Sequence, residues 1–233
     1  MSRPAKPSRA KPIRKKPAMP NGSLSDRAYR LLEELIVTLQ ILPGAIVSET
    51  ELSRRLAIGR TPIREALQRL AREKLIVILP RRGIMVSEVN VGTQLRLLEV
   101  RRELERLIAR SAARRATETQ RQRFREIGEG MERAASGNDD VTFMRLDREF
   151  NLLMVDAAQN EFAAGAMVLV HGLSRRFWYI HYKRVADMPR SAHLHADIAR
   201  GIAAEDEAAA AAAVDRHMDY VEQFTRATVD SGM

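Results

Sequence analysis

The chain contains no cysteine, which excludes a disulfide framework and any thiolate metal centre. No apolar run approaches the ~18 residues that a membrane span needs, and the basic N-terminus is not followed by an apolar segment of signal-peptide type. A soluble cytoplasmic protein with no membrane partner is expected. No His-Glu-x-x-His helix is present, so the commonest zinc-hydrolase signature is missing. Residues 1–23 lack acidic side chains altogether while carrying seven Lys or Arg. Residues 24–88 hold eleven basic and eight acidic groups, and the remainder 21 and 22, so the net charge of +9 is concentrated at the N-terminal end. The Pro-, Lys- and Arg-rich tail of residues 1–23 has no apolar periodicity and is expected to be disordered. It is either a phosphate-binding arm or a solubilising extension.

The most informative segment is Gly59-Arg60-Thr61-Pro62-Ile63-Arg64-Glu65-Ala66-Leu67-Gln68-Arg69-Leu70. Pro62 lacks an N–H and belongs in a first helical turn, which predicts a helix starting near residue 61 with Arg60 or Thr61 at the cap. Ile63, Ala66, Leu67 and Leu70 follow the spacing of a buried face and leave Arg60, Thr61, Arg64 and Gln68 outside it. A helix N-terminus favours phosphate, and arginine can pair bidentately with guanine. Upstream, Glu49–Leu56 reads as a short helix with Thr50 in its first turn, and Ala57-Ile58-Gly59 forms the connection. This is helix-turn-helix spacing. Leu75–Leu79 and Ile84–Val86 are short strands around Pro80-Arg81-Arg82-Gly83, a two-stranded wing with arginines at its tip. A leading helix, Leu24 to Leu39, closes the core with Leu32, Leu35, Ile36 and Leu39. The expected DNA contacts are Thr50, Arg60, Thr61, Pro62, Arg64, Arg81, Arg82 and Gly83.

Residues 24–88 resemble the N-terminal domain of the GntR superfamily of bacterial transcription regulators, whose pattern includes Ser-Arg-Thr-Pro-hydrophobic-Arg-Glu-Ala-Leu and a glycine-containing wing. Gly59 stands where serine is common. Lys74 stands where glycine often ends the recognition helix, at a cost on the order of 1 kcal/mol if that position is left-handed.

After a linker at 89–93, residues 94–230 read as an antiparallel bundle of about six helices, with breaks at Ser136-Gly137-Asn138, Gln159-Asn160, Met188-Pro189 and Ala203–Asp206. Leu95, Leu98, Leu104, Leu107, Ile108 and Ala112 give its first helix an apolar face. The whole chain is therefore mainly α: a winged helix-turn-helix followed by a helical bundle. Asp147 and Asn151 are four apart and share a helix face. His195 on the fifth bundle helix and His217 on the sixth can meet if those helices are antiparallel, giving four donors for Zn²⁺, Ni²⁺ or Mn²⁺. His193, two residues from His195, points elsewhere. Glu149 is turned away from the set and is a poor general base.

This half is similar to the FCD ligand-binding domain of the FadR-like branch. The resemblance implies a metal site at Asp147, Asn151, His195 and His217, with Asn151 replacing the usual histidine. It also implies that Arg101 engages a ligand carboxylate; His181, on the fourth bundle helix beside Trp178 and Tyr179, is read from its position as a residue facing the pocket. The function expected is a homodimeric regulator, a repressor rather than an activator, that binds a two-fold-related DNA operator under control of a small carboxylate. The alternatives are a metal-dependent enzyme fused to a DNA-binding head and a constitutive nucleoid protein acting through the tail.

Overall fold

The computed structural model describes residues 23–185 and 187–230, so the basic tail before Ser23 lies outside the described residues. Helix α1 (Leu24–Val37) starts at a capping box in which Ser23 and Asp26 satisfy each other's backbone donors. It ends two residues earlier than the apolar spacing suggests, because Leu39 turns left-handed and Ile41 donates back to the Leu35 carbonyl. Strand β1 (Ile46–Val47) leads into α2 (Glu49–Leu56), capped by Ser48. Ala57, left-handed, and Ile58 make the turn into α3 (Arg60–Arg72).

The N-cap of α3 is Gly59, not Arg60 or Thr61, which makes Pro62 the third helical residue. That position is still within the first turn, where the missing N–H costs no helical bond. Ile63, Ala66, Leu67 and Leu70 are buried as the periodicity requires. The helix closes with Lys74 N–H bonded to Ala71 O and Leu75 N–H to Leu70 O, with Lys74 at φ +60° and Leu75 fully buried. This is a Schellman ending in which lysine occupies the position that favours glycine. Lys74→Gly should therefore raise stability by up to ~1 kcal/mol, read as a shift in the denaturant midpoint at unchanged slope.

Strands β2 (Ile76–Leu79) and β3 (Gly83–Val86) form the wing, but the sheet has three strands in the order β1-β3-β2, all antiparallel. Two residues of β1 are too few to carry a pattern of their own, and the sequence reading of a two-stranded hairpin misses them. Gly83 opens β3 at φ +111°, and a side chain there would meet the Val47 carbonyl at 2.8 Å, so glycine allows β1 to close on the wing.

The second half contains α4 (Val91–Arg115), α5 (Glu118–Ser136), α6 (Asp140–Ala158), α7 (Glu161–Val185), α8 (Met188–Ala203) and α9 (Glu207–Asp230). The linker expected at 89–93 is shorter, because Asn90 caps α4 and its helix begins at Val91. A break at Ala116-Thr117, hidden in an Ala- and Arg-rich run, is made by a Thr117–Gln120 capping box. Leu107 is exposed, contrary to the apolar face assigned to α4, while Leu98, Ile108 and Ala112 are buried. Gly201 sits against the backbone of α9, and a side chain there would lie 2.7 Å from the Ala210 nitrogen. This close approach joins α8 to α9 and sets the spacing of the two helices that carry His195 and His217.

Candidate functional site

Two features stand out, one in each half. On the N-terminal domain, Thr50, Arg60, Arg64 and Gly83 line one concavity together with Ser48, Glu49 and Gln68. Thr61, Arg81 and Arg82 are also exposed, with Arg81 in the wing turn at φ +62°. Pro62 is half-buried and positions the helix start. Arg64 is held by Glu49 through two parallel hydrogen bonds of 2.9 and 2.7 Å. That fork-to-carboxylate geometry is the one a guanine edge would replace. The pair draws the Glu49 carboxyl below its ordinary range, chiefly through the Arg64 hydrogen bond. Glu49 is the partner that sequence reasoning missed, because nothing in a spacing of fifteen residues signals a contact.

The second feature is a cavity of about 40 Å³ inside the helical bundle. Its lining includes Arg101, Asp147, Asn151, His171, Arg175, His195 and His217, with Phe143, Phe177, Trp178 and Phe224 supplying apolar walls. His195 and His217 do meet, with ring centroids 4.2 Å apart. His195 Nε2 lies 3.2 Å from Asp147 Oδ1, and its Nδ1 faces the Ser191 carbonyl at 2.8 Å. His195 thus has an acceptor facing each of its ring nitrogens. Burial opposes ionisation of Asp147, but the His195 hydrogen bond and the His195 and Arg175 charges outweigh it and hold the carboxyl well below the carboxylate range.

Asn151 is placed differently from the ligand role inferred for it. Its amide nitrogen donates to the Asp147 backbone carbonyl at 2.8 Å and to Asp147 Oδ1 at 3.1 Å, so it steadies Asp147. A backbone carbonyl only accepts, which fixes the nitrogen rather than the oxygen on that side. Arg101 is buried in the lining, and its Nε is bonded to Glu105 one turn on. Glu105 in turn lies 4.0 Å from His217 Nδ1, an atom without a hydrogen-bond partner among the described residues. His181 packs at 4.6 Å on Phe177 and is outside the cavity lining. His171, nearly three turns earlier on α7, is inside it, and its Nε2 is likewise without a hydrogen-bond partner among the described residues. Burial, followed by the Arg101 charge, pushes His171 down to about 3, and burial with the His195 charge pushes His217 well below its ordinary value. His193 is exposed and bonded to Glu132, and Glu149 pairs with Arg123; both lie off the site, as their spacing indicates.

A divalent cation fits part of this donor set. Two ligands ~2.1 Å from one cation at 90–109° lie ~3.0–3.4 Å apart, which is the spacing found between Asp147 and His195. Among the described residues, however, no three His, Asp or Glu side chains converge as a metal-binding group.

Residues 24–86 match the bacterial regulatory proteins of the gntR family, and residues 96–220 match the FCD domain. The chain belongs to the GntR family. Like other GntR members it is a DNA-binding transcription regulator and not an enzyme. It is 27% identical to the HTH-type transcriptional repressor RspR of Escherichia coli K12 over 207 residues, covering 89% of this chain and 91% of that one. It is 30% identical to the Nta operon transcriptional regulator of Aminobacter aminovorans, covering 84% and 93%. Among solved structures, E. coli McbR/YncC matches with TM-score 0.78 at 18% identity, over 90% of this chain and all of that one. A putative GntR regulator from Rhodococcus sp. RHA1 matches with TM-score 0.65 at 18% identity, over 87% and 97%. These likenesses establish the GntR fold: a winged helix-turn-helix with a helical C-terminal domain. Among the described residues no helix is long and apolar enough to cross a membrane.

Proposed function

We propose that this regulator is a cytoplasmic, homodimeric repressor whose grip on a two-fold-related operator is set by a small carboxylate bound in the helical domain. The observation that carries the ligand class is the pair of guanidiniums in the lining: Arg101 and Arg175, each bonded to one carboxylate, Glu105 or Glu33, through part of its donor set, stand beside Asp147 inside apolar walls. Buried cations of this kind pair with a carboxylate. A volume of about 40 Å³ holds on the order of three waters and favours a two- to four-carbon acid over a long chain. Dimerisation is supported by exposed apolar side chains on two helices that touch, Val100 and Leu107 of α4 and Val168 and Leu169 of α7. Arg60, Thr61 and Arg64 would read or anchor the major groove, with Thr50 on its flank. The wing residues Arg81, Arg82 and Gly83 would meet the backbone or minor groove.

Asp147 and His195, at the spacing of two cation ligands, would hold a divalent cation, with His217 joining as a third ligand after a shift of its ring and Asn151 as a hydrogen-bonding support. Bound there, the ion would supply positive charge to a carboxylate oxygen. The neutral state of His217 favours that role, since a ligand nitrogen must be unprotonated.

Acetate, lactate, malonate and succinate, tested against a duplex selected by the protein from a random pool, should include at least one acid that raises the melting temperature and changes operator affinity. If no acid does either, effector control by a carboxylate is wrong. Metal analysis of the purified protein should give near-stoichiometric Zn, Ni or Mn, lost in Asp147→Ala and His217→Ala. Equal retention by both variants would eliminate the site.

A further inference from the structure

Helix α7 serves both halves of the molecule. His171, Ser174, Arg175 and Trp178 line the cavity, while Leu173 packs on the core of the DNA-binding domain and Gly172 lies against Leu75. Arg176, almost wholly buried, reaches the carbonyls of Leu75 and Glu88 at 3.5 and 3.4 Å.

Arg175 belongs to both groups. Its Nη1 donates to Glu33 Oε1 at 3.0 Å, across to α1 of the DNA-binding domain. Its Nε lies 3.9 Å from Asp147 Oδ2, beyond hydrogen-bond range, and has no hydrogen-bond partner among the described residues. Glu33 is itself buried, and its other cationic neighbour, Arg148, is farther away at 3.8 Å. A planar guanidinium held by one carboxylate at one edge, with its Nε unused beside the cavity, is suited to capture a second carboxylate.

We propose that Arg175 is the coupling residue of this regulator: an anionic ligand in the cavity takes the Nε edge of its guanidinium and draws the side chain away from Glu33, loosening α1 and lowering operator affinity. The inference rests on the carboxylate reading of the cavity. Ligand and Glu33 then oppose each other by equal factors, since coupling between two sites is reciprocal. Removing the Glu33 charge should tighten the ligand and silence the response.

The test uses the full chain, the selected duplex, and acetate, lactate, malonate and succinate as probes, with binding followed by calorimetry. Wild type should bind at least one acid and lose operator affinity at least tenfold at saturation. Glu33→Gln, an isosteric change outside the cavity lining, should bind the same acid at least threefold more tightly while its operator affinity moves less than twofold. Without any acid, Glu33→Gln and Arg175→Gln should be non-additive in operator affinity, and Arg175→Lys should recover part of the coupling. A full wild-type response in Glu33→Gln, or additive effects of the two changes, would overturn the coupling and leave the cavity reading intact. Failure of every acid to bind wild type would overturn the cavity reading and with it the ligand-driven switch, while additivity without acid would separately reject the Arg175–Glu33 link.

Discussion

Arg64→Ala is expected to weaken binding to the selected operator by about 5- to 150-fold, ~1–3 kcal/mol, and to relax preference at one base-pair position in each half-site. The side chain is exposed on the second turn of α3, its backbone is fixed by the buried Ile63 and Leu67, and it lines the concavity that faces away from the core. Arg81→Ala should behave differently. It sits in the wing turn, and its loss should weaken all duplexes to a similar extent and reduce the salt slope by about one. Fluorescence anisotropy on the operator and on a scrambled duplex, over a range of salt, separates the two. Equal loss on both duplexes for Arg64→Ala would mean that the helix only grips phosphate, and would favour a nucleoid protein over a specific regulator.

In metal-free protein kept in chelator, stability should fall steeply on moving from pH 7.5 to pH 5. His171 is pushed down to about 3 and His217 well below its ordinary value, burial being the first cause for both. The unfolded chain then binds more protons than the native one from about pH 6.5 downward. The stabilisation is complete above that value and is lost progressively as the pH drops towards 3 for His171. One such histidine costs about 2 kcal/mol by pH 5, at about 1.4 kcal/mol per pH unit. Asp147 works in a separate window, since its depressed value contributes fully above about pH 4 and is lost only in stronger acid. Urea melts across this range should show the slope, and His171→Gln should remove about one proton from it. An unchanged slope in His171→Gln would mean that His171 is not a buried neutral group.

Much of the DNA-binding half is legible in the sequence, because its signals are local. Glu49–Leu56 is read to the residue, and the buried face of α3 follows from spacing alone. The failures lie where a contact is distant or an element too short. β1 is two residues long and exists only through its pairing with β3. In the second half the meeting of His195 with His217 is legible, since a short turn between two helices makes them antiparallel, and so are four of the five helix breaks, the one at Ala116-Thr117 being hidden in an Ala- and Arg-rich run. His171 and Arg175 are not, because α7 has a weakly amphipathic sequence on which no single face stands out as lining a cavity. Arg101 and Asn151 illustrate a different limit. Their residue types suggest ligand contact, yet intrahelical neighbours four residues away, Glu105 and Asp147, already use part of their hydrogen-bonding capacity.

The Arg64–Glu49 pair has a consequence for how the protein searches a chromosome. Any DNA site must displace a carboxylate before it can use this arginine. A phosphate can restore both hydrogen bonds through two of its oxygens, as a guanine can through N7 and O6. Glu49 therefore opposes the use of Arg64 at every DNA site, and Glu49→Gln should lengthen dwell times on operator and random duplex together.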